Sequence, residues 1–440
     1  MMNKKLVFLF LVICSAFFTI QMDRENDYRI VAFILALTVL MWVFEIVPLF
    51  VTSLLSSFAF IIFGGFNAKL IFAPYFDPII VLFLGGFVLA LAFQKTGLDR
   101  VISQMLLSRV GGERKYFLLL VMTVSAVLSM WMSNTAAAAL MMPIVISAFG
   151  SKSDKNTLSN AVLAVAYSSS IGGMMTLVGS PPNAIAAKYV REAGLSFGFL
   201  EWSILAGPFS IISILFVWWM LSRGMSEKMS ADHGADAKIR IDRSGKIVVA
   251  TFFVTVLAWL TSGWIGVSAS VIALIPVVVF FSLGILKENE IGQISWPTLL
   301  LFGGGLSLGF VIAEKKIDMD LLSIIQGSVL NHHPLIVISL LVFVSILFTM
   351  VASNTASASV LIPLVLPIGS AFGLPASLST FLIAIAVSLD FAMPVGTPPN
   401  AIAYSTGYVS AAEMFRKGIV VNLALGVWLI IYVFAISLVR

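Results

Sequence analysis

Apolar runs of about twenty residues, separated by short polar loops, recur along the whole chain. That length suits a helix rising ~1.5 Å per residue across a hydrocarbon core ~30 Å thick. The pattern predicts eleven spans: 5–22, 29–46, 48–65, 76–95, 158–188, 202–222, 246–263, 266–286, 296–313, 377–408 and 416–438. The spans 158–188 and 377–408 are predicted to be broken, by Gly179-Ser180-Pro181-Pro182 and Gly396-Thr397-Pro398-Pro399. Two further apolar stretches, 116–149 and 333–371, do not fit the series. Each is too long for one upright span and too short for two spans and a loop. Each carries Ser-Asn-Thr near its middle and a proline after it, Pro143 and Pro363. A turn cannot face lipid, but inside protein it can face a cavity. Both stretches are therefore read as re-entrant hairpins with Ser-Asn-Thr at the tips. The alternative is a polar kink in a tilted span.

The polar interruptions come in pairs. SNTAAAALMMPIV begins at Ser133 and SNTASASVLIPLV at Ser353, 220 residues apart. GSPPNAIA begins at Gly179 and GTPPNAIA at Gly396, 217 apart. FLGGFVLALAFQKTGLD begins at Phe83 and FGGGLSLGFVIAEKKID at Phe302, 219 apart. Three anchors in one order at nearly one spacing imply a duplicated half. Five spans lie between the two tips, so the second half is predicted to be inverted, with both tips meeting near the midplane. The organisation expected is an N-terminal span in 1–28, a first inverted repeat over 29–222, a cytoplasmic linker over 223–245 and a second repeat over 246–440. The fold class is all-α, polytopic and membrane-embedded. Segments 98–112 and 317–330 mix polar and apolar residues and read as amphipathic helices in the interface.

Composition agrees: 60% of the 440 residues are hydrophobic and 11% charged, with mean hydropathy +1.06. No soluble surface can be made from this. The lipid bilayer is thus a partner, and the +5 charge reflects basic loops rather than nucleic-acid binding. Lys4 and Lys5, the stretch 95–115, the linker and the Arg416–Lys417 pair place the N-terminus in the cytoplasm and the C-terminus outside. The run Leu6–Ile20 also resembles a signal peptide, but no small-x-small site ends it, so a retained span is favoured. Cys14 is the lone cysteine, which excludes an internal disulfide and a cysteine metal cluster. His233, His332 and His333 lie in or beside loops without a metal-ligand neighbourhood.

The chemistry lies in the paired breaks. Asn134 and Asn354 offer amide donors and carbonyl acceptors, and Ser133, Thr135, Ser353 and Thr355 add hydroxyls. Carbonyls freed at the Gly-x-Pro-Pro breaks lack helical partners, because proline has no amide hydrogen. Such oxygens suit Na⁺, whereas freed amides and half-helix N-termini suit an anion. No Lys or Arg lies in 116–149, 345–371 or 390–406, so co-bound Na⁺ is the natural offset for an anion. A single Ser-Asn-Thr would more readily be a packing motif; its duplication beside Gly-x-Pro-Pro-Asn favours a site. Asn183 and Asn400 fit capping and ligand binding equally. Glu45 sits at a span end, where pairing with a loop cation competes with function. Asp390, whose counterpart at the 217 spacing is Gly173, is open to structural pairing (ranked first), a cation site or proton carriage.

Two SNT-initiated hairpins, the GSPPNAIA and GTPPNAIA breaks and a W-x-x-E-x-x-P element (Trp42, Glu45, Pro48) resemble the divalent anion/sodium symporters over nearly the whole chain. These are bacterial and animal carriers of succinate, malate, fumarate and citrate. The resemblance implies a secondary transporter, not an enzyme: a homodimer of eleven-span protomers with a scaffold domain and an elevator-like transport domain. It implies Na⁺-coupled symport of a C4-dicarboxylate anion at a bacterial inner membrane. The sodium positions it implies are Ser129, Ser133, Asn134 and Gly179 in one site, and Thr349, Ala352, Asn354 and Gly396 in the other. The carboxylate positions are Asn134, Thr135, Asn354, Thr355, Thr397 and Pro398. The family has a neutral residue where this chain has Asp390, which bears on the charge coupled per cycle. Sodium-independent exchangers of the family have a cationic side chain near the site; its absence here favours symport. The rival readings are a citrate, sulfate or other oxyanion carrier, an anion exchanger of the same fold, a hairpin-lined channel and, weakly, an intramembrane enzyme.

Overall fold

The computed structural model describes residues 25–98, 113–149, 154–195, 197–225, 241–320 and 334–439, with isolated positions within 8–19, 101–105 and 322–323. The expected first span, the interface segments and the linker lie wholly or mostly outside the described residues. The rest is helix, and no extended strand occurs among the described residues. The longer helices are α1 (Asn26–Val43), α2 (Leu49–Ile62), α3 (Pro78–Lys95), α4 (Arg114–Ser129), α5 (Asn134–Phe149), α6 (Lys155–Gly173), α7 (Pro181–Glu192) and α8 (Phe199–Leu221). They continue as α9 (Arg243–Leu260), α10 (Ala269–Ser282), α11 (Trp296–Glu314), α12 (Pro334–Thr349), α13 (Asn354–Ala371), α14 (Ala376–Ala386), α15 (Pro398–Ser405) and α16 (Ala411–Val439).

Seven described helices are long and apolar enough to cross a membrane: α1, Ala68–Lys95, α8, α9, α11, α13 and α16. Three of the four helices next to the breaks, α7, α14 and α15, are shorter, because the chain leaves helical conformation around the breaks that the sequence places there. α6 stops at Gly173 and α7 resumes at Pro181; α14 stops at Ala386 and α15 resumes at Pro398. Both restarts put proline in the first turn, where its missing N–H removes no helical bond. The Ser-Asn-Thr stretches are helix–turn–helix units, α4–α5 and α12–α13, each with a four-residue turn: 130–133 and 350–353. Ser133 and Ser353 cap the second helix of each unit, their hydroxyls accepting from the Ala136 and Ala356 amides at 3.2 Å.

The helices after the breaks are exchanged between the halves. α7, from the first half, packs on α13 and α14; α15, from the second, packs on α5 and α6. The two Ser-Asn-Thr turns are thereby locked into one core. Glycines set the approach of α11 to its neighbours. A Cβ on Gly304 would lie 2.2 Å from Ser53 Cβ, and one on Gly305 would lie 2.1 Å from Ser359 Oγ. The third repeated motif is therefore a packing element. Gly304→Ala should cost about 1–3 kcal/mol by overpacking and lower the melting temperature in detergent; an unchanged melting temperature would contradict this contact.

Trp42 is buried and donates from Nε1 to Leu49 O at 3.1 Å, closing the turn between α1 and α2. Glu45 lies in that turn, exposed, with φ 44°. The W-x-x-E-x-x-P element is thus a turn clamp, and Glu45 is not immersed in an apolar span. In the turn of the first tip, Trp131 stacks on Phe199 and Trp259, with centroids 5.8 and 6.3 Å away.

Candidate functional site

Both tips and both breaks face one cavity of about 490 Å³. Ser133, Asn134 and Thr135 line it from the first tip, and Ser353, Asn354 and Thr355 from the second. Gly179-Ser180-Pro181 and Gly396-Thr397-Pro398-Pro399 complete that wall. The six positions implied for a carboxylate, Asn134, Thr135, Asn354, Thr355, Thr397 and Pro398, are all among the lining residues. None of the described lining residues is charged.

Behind each asparagine sits a hydroxyl. Ser129 donates to Asn134 Oδ1 at 2.7 Å, and Thr349 donates to Asn354 Oδ1 at 2.9 Å. Ser129 and Thr349 stand 220 residues apart, like the asparagines they contact, and both are fully buried. Each carboxamide thus turns its oxygen toward the protein and keeps its Nδ2 donors for other partners. Gly179 and Gly396 line the same cavity as the two asparagines. A Cβ on Gly173 would sit 2.1 Å from Asn134 Oδ1 and 2.9 Å from Gly179 O, so Gly173, Asn134 and Gly179 converge. The Thr349 hydroxyl also lies 2.7 Å from Val387 O, so its one proton is shared between the two acceptors and ties the second tip to the second break. Ala352 is buried at that tip. The two implied sodium sets are therefore gathered into two local clusters, one at each tip.

Asn183 and Asn400 take a role the sequence did not suggest. Neither caps a helix with its side chain. Asn183 Nδ2 donates to Gly173 O at 2.8 Å and to Thr176 O at 2.7 Å, and Asn400 Nδ2 donates to Asp390 O at 3.1 Å and Met393 O at 3.0 Å. They satisfy carbonyls that the breaks release, and α15 is capped instead by Thr397, whose Oγ1 accepts from Asn400 N. Asn183→Ala would strand buried carbonyls at a cost of about 1–3 kcal/mol. Its melting temperature should fall even without any ligand; a purely ligand-dependent fall would contradict the stapling role.

The opposite wall was also unforeseen. Gln94, at the end of α3, and Gln293, Ser295 and Thr298, before and at the start of α11, supply further polar groups, and Phe83 and Phe87 line the same cavity. Lys95 and Glu290 pair across 195 residues and hold these two segments together. The Lys95 ammonium holds the Glu290 carboxyl below the usual carboxylate range. Exposed pairs of this kind add little stability, so the pair's contribution is register: it sets Gln94 and Gln293 on one wall.

The profile of the family described as citrate transporter (CitMHS) matches residues 39–387. A transporter of uncharacterized function from Haemophilus influenzae is 33% identical over 410 residues, covering 89% of this chain and 88% of its own. The sodium-dependent dicarboxylate transporter SdcS of Staphylococcus saprophyticus is 29% identical over 451 residues, covering 92% of this chain and 85% of its own. In fold, the crystal structure of the Alcanivorax borkumensis YdaH transporter superposes with a TM-score of 0.62 at 14% identity, covering 99% of this chain and 98% of that one. The profile spans well over half the sequence, and the chain belongs to the citrate transporter family, of the divalent anion/sodium symporter type: a multi-span membrane transporter and not an enzyme.

Proposed function

We propose that this chain imports C4-dicarboxylates such as succinate, malate and fumarate by sodium-coupled symport. The observation that carries the reading is the cavity: two asparagine tips and two half-helix N-termini converge on a space lined by no charged side chain among the described residues. A dianion taken from water into such a space loses far more solvation than neutral donors return. Sodium ions in the two clusters behind the asparagines supply the missing charge. Asn134 and Asn354 then act on both ligands at once, Nδ2 donating to a carboxylate and Oδ1 facing the ion. Thr135, Thr355 and Thr397 add donors, and the N-termini of α5, α7, α13 and α15 add their dipoles. The name of the staphylococcal relatives, sodium-dependent dicarboxylate transporter, supports the same reading.

The paired motifs and the exchanged α7 and α15 support two inverted repeats with re-entrant hairpins; elevator-type alternating access in a homodimer of eleven-span protomers is what the resemblance to the divalent anion/sodium symporters implies. The basic loops support a cytoplasmic N-terminus, and the bacterial relatives support the bacterial inner membrane as its location. A second reading, citrate carriage, is favoured by the description of the family. The discriminating experiment is uptake of labelled succinate into liposomes under an inward sodium gradient, with malate, fumarate, citrate and sulfate as competitors. Saturable, sodium-dependent succinate uptake that malate and fumarate suppress and excess sulfate does not is the expected result. Uptake suppressed far more strongly by citrate would move the assignment to the second reading, and non-saturable flux would indicate a channel.

A further inference from the structure

Asp390 is the one acidic residue within the second break, and it is fully buried. Neither of its carboxylate oxygens has a hydrogen-bond partner among the described residues. A structural pairing, the reading ranked first from sequence, is therefore not what the fold provides. The carboxylate lies directly against Gly396: a Cβ built there would fall 2.0 Å from Oδ2 and 2.5 Å from Oδ1. Gly396 is the glycine of the second cluster, on the cavity wall with Asn354.

The first half shows what that location means. Gly173, the counterpart of Asp390, sits between Asn134 Oδ1 and Gly179 O, and even a methyl group there would enter the space between them. The second half carries a carboxylate at this place. Thr349, bonded both to Asn354 Oδ1 and to Val387 O, brings the tip to within three residues of Asp390 in sequence. A glycine and a carboxylate at matching positions make the two clusters chemically unequal: neutral oxygens at one, neutral oxygens plus an acid at the other.

Resting on the sodium-symport reading, we infer that Asp390 is an anionic ligand of the second cation site, making it the tighter of the two and the first to fill. A buried ionised carboxylate without donors needs a counter-ion, and breaking such a pair by removing one partner is costly. Sodium at the second cluster is that partner, so the site has affinity for the cation before any dianion arrives. The first cluster lacks the acid and fills with the substrate's help. In an alternating-access cycle a charge fixed to the carrier crosses and returns, so Asp390 leaves the charge moved per cycle to the stoichiometry. It instead gives the empty carrier a negative charge, so that the unloaded return becomes the voltage-sensitive step.

The test uses full-length protein, with Asp390→Asn and Asp390→Ala beside the wild type. Melting temperature is followed in sodium and in choline without substrate, and succinate uptake against sodium in liposomes. Sodium alone should stabilise the wild type and stabilise either variant much less. In choline the variants should melt no lower than the wild type, since they lack an uncompensated charge. The half-saturating sodium concentration for uptake should rise roughly tenfold or more, with the succinate KM at saturating sodium little changed. Variants with the wild-type sodium profile in both assays would overturn the inference while leaving symport intact. Variants that fail to fold in either salt would show a structural carboxylate and overturn it too. A wild type without sodium-dependent uptake would instead remove the symport reading beneath it, and the inference with it.

Discussion

Asn134→Ala will reduce succinate uptake to near background while the protein still folds and melts close to wild type, and Asn354→Ala will do the same. Each carboxamide lies on the cavity wall with its Oδ1 engaged by a buried hydroxyl, Ser129 or Thr349. Its Nδ2 is the donor left for a carboxylate, and its Oδ1 is shared with the cluster proposed for sodium. One truncation therefore removes contacts to two charged ligands. At ~1.5–3 kcal/mol for each hydrogen bond to a charged group, the combined loss is roughly 100-fold or more. Folding should survive, because the caps of α5 and α13 come from Ser133 and Ser353, which remain in place. Near-normal uptake by both single variants would remove the asparagines from the site.

The second large effect is linkage. Sodium and dianion are proposed as neighbours in a space whose described lining carries no charge, so each stabilises the other. Coupling free energies are reciprocal: the factor by which sodium raises succinate affinity equals the factor by which succinate raises sodium affinity. A size of ~1–3 kcal/mol, or roughly 5–150-fold, is expected. Titrating succinate binding at several sodium concentrations, then sodium binding at several succinate concentrations, measures both factors. Calorimetry on the purified carrier would serve. Equal factors within this range are the expected outcome. A succinate affinity indifferent to sodium would mean exchange or another coupling ion.

Much of this site is legible in the chain because membranes penalise irregular backbone. A Ser-Asn-Thr turn or a Gly-x-Pro-Pro break inside an apolar run stands out, and its second copy removes the packing explanation. The turns at 130–133 and 350–353 fall at the Ser-Asn-Thr stretches, and α7 and α15 restart at the prolines of the breaks, although α6 and α14 already end at Gly173 and Ala386, ahead of the predicted breaks. The far wall was hidden for the opposite reason. Gln94 lies inside the third repeated motif, but its counterpart at the 219 spacing is Ala313; Gln293 ends a 3₁₀ turn outside any repeat, and the segments of the two are joined by the Lys95–Glu290 ion pair, between residues far apart in sequence. Asn183 and Asn400 were legible as important but not in role, since position beside a half-helix does not say which way an amide points. Asp390 was visible as a charge in an apolar run; only the packing of Gly396 against it, and of Gly173 against Asn134, shows where it points. The span 266–286 was read as one helix, and α10 runs through it with a local irregularity at Ala273, where Gly85 of α3 approaches so closely that a Cβ would lie 2.2 Å from Ala273 O.

The account stands on coupling between the two ligands of one cavity, and the most direct measurement imposes a gradient of one and follows the other. Liposomes containing the purified carrier are given equal sodium on both sides and succinate only outside, with the membrane potential clamped by potassium and valinomycin. Labelled sodium should rise inside above its outside concentration for as long as the succinate gradient lasts, and should not do so with Asn134→Ala. Succinate entry with labelled sodium remaining at its equilibrium distribution would contradict the account.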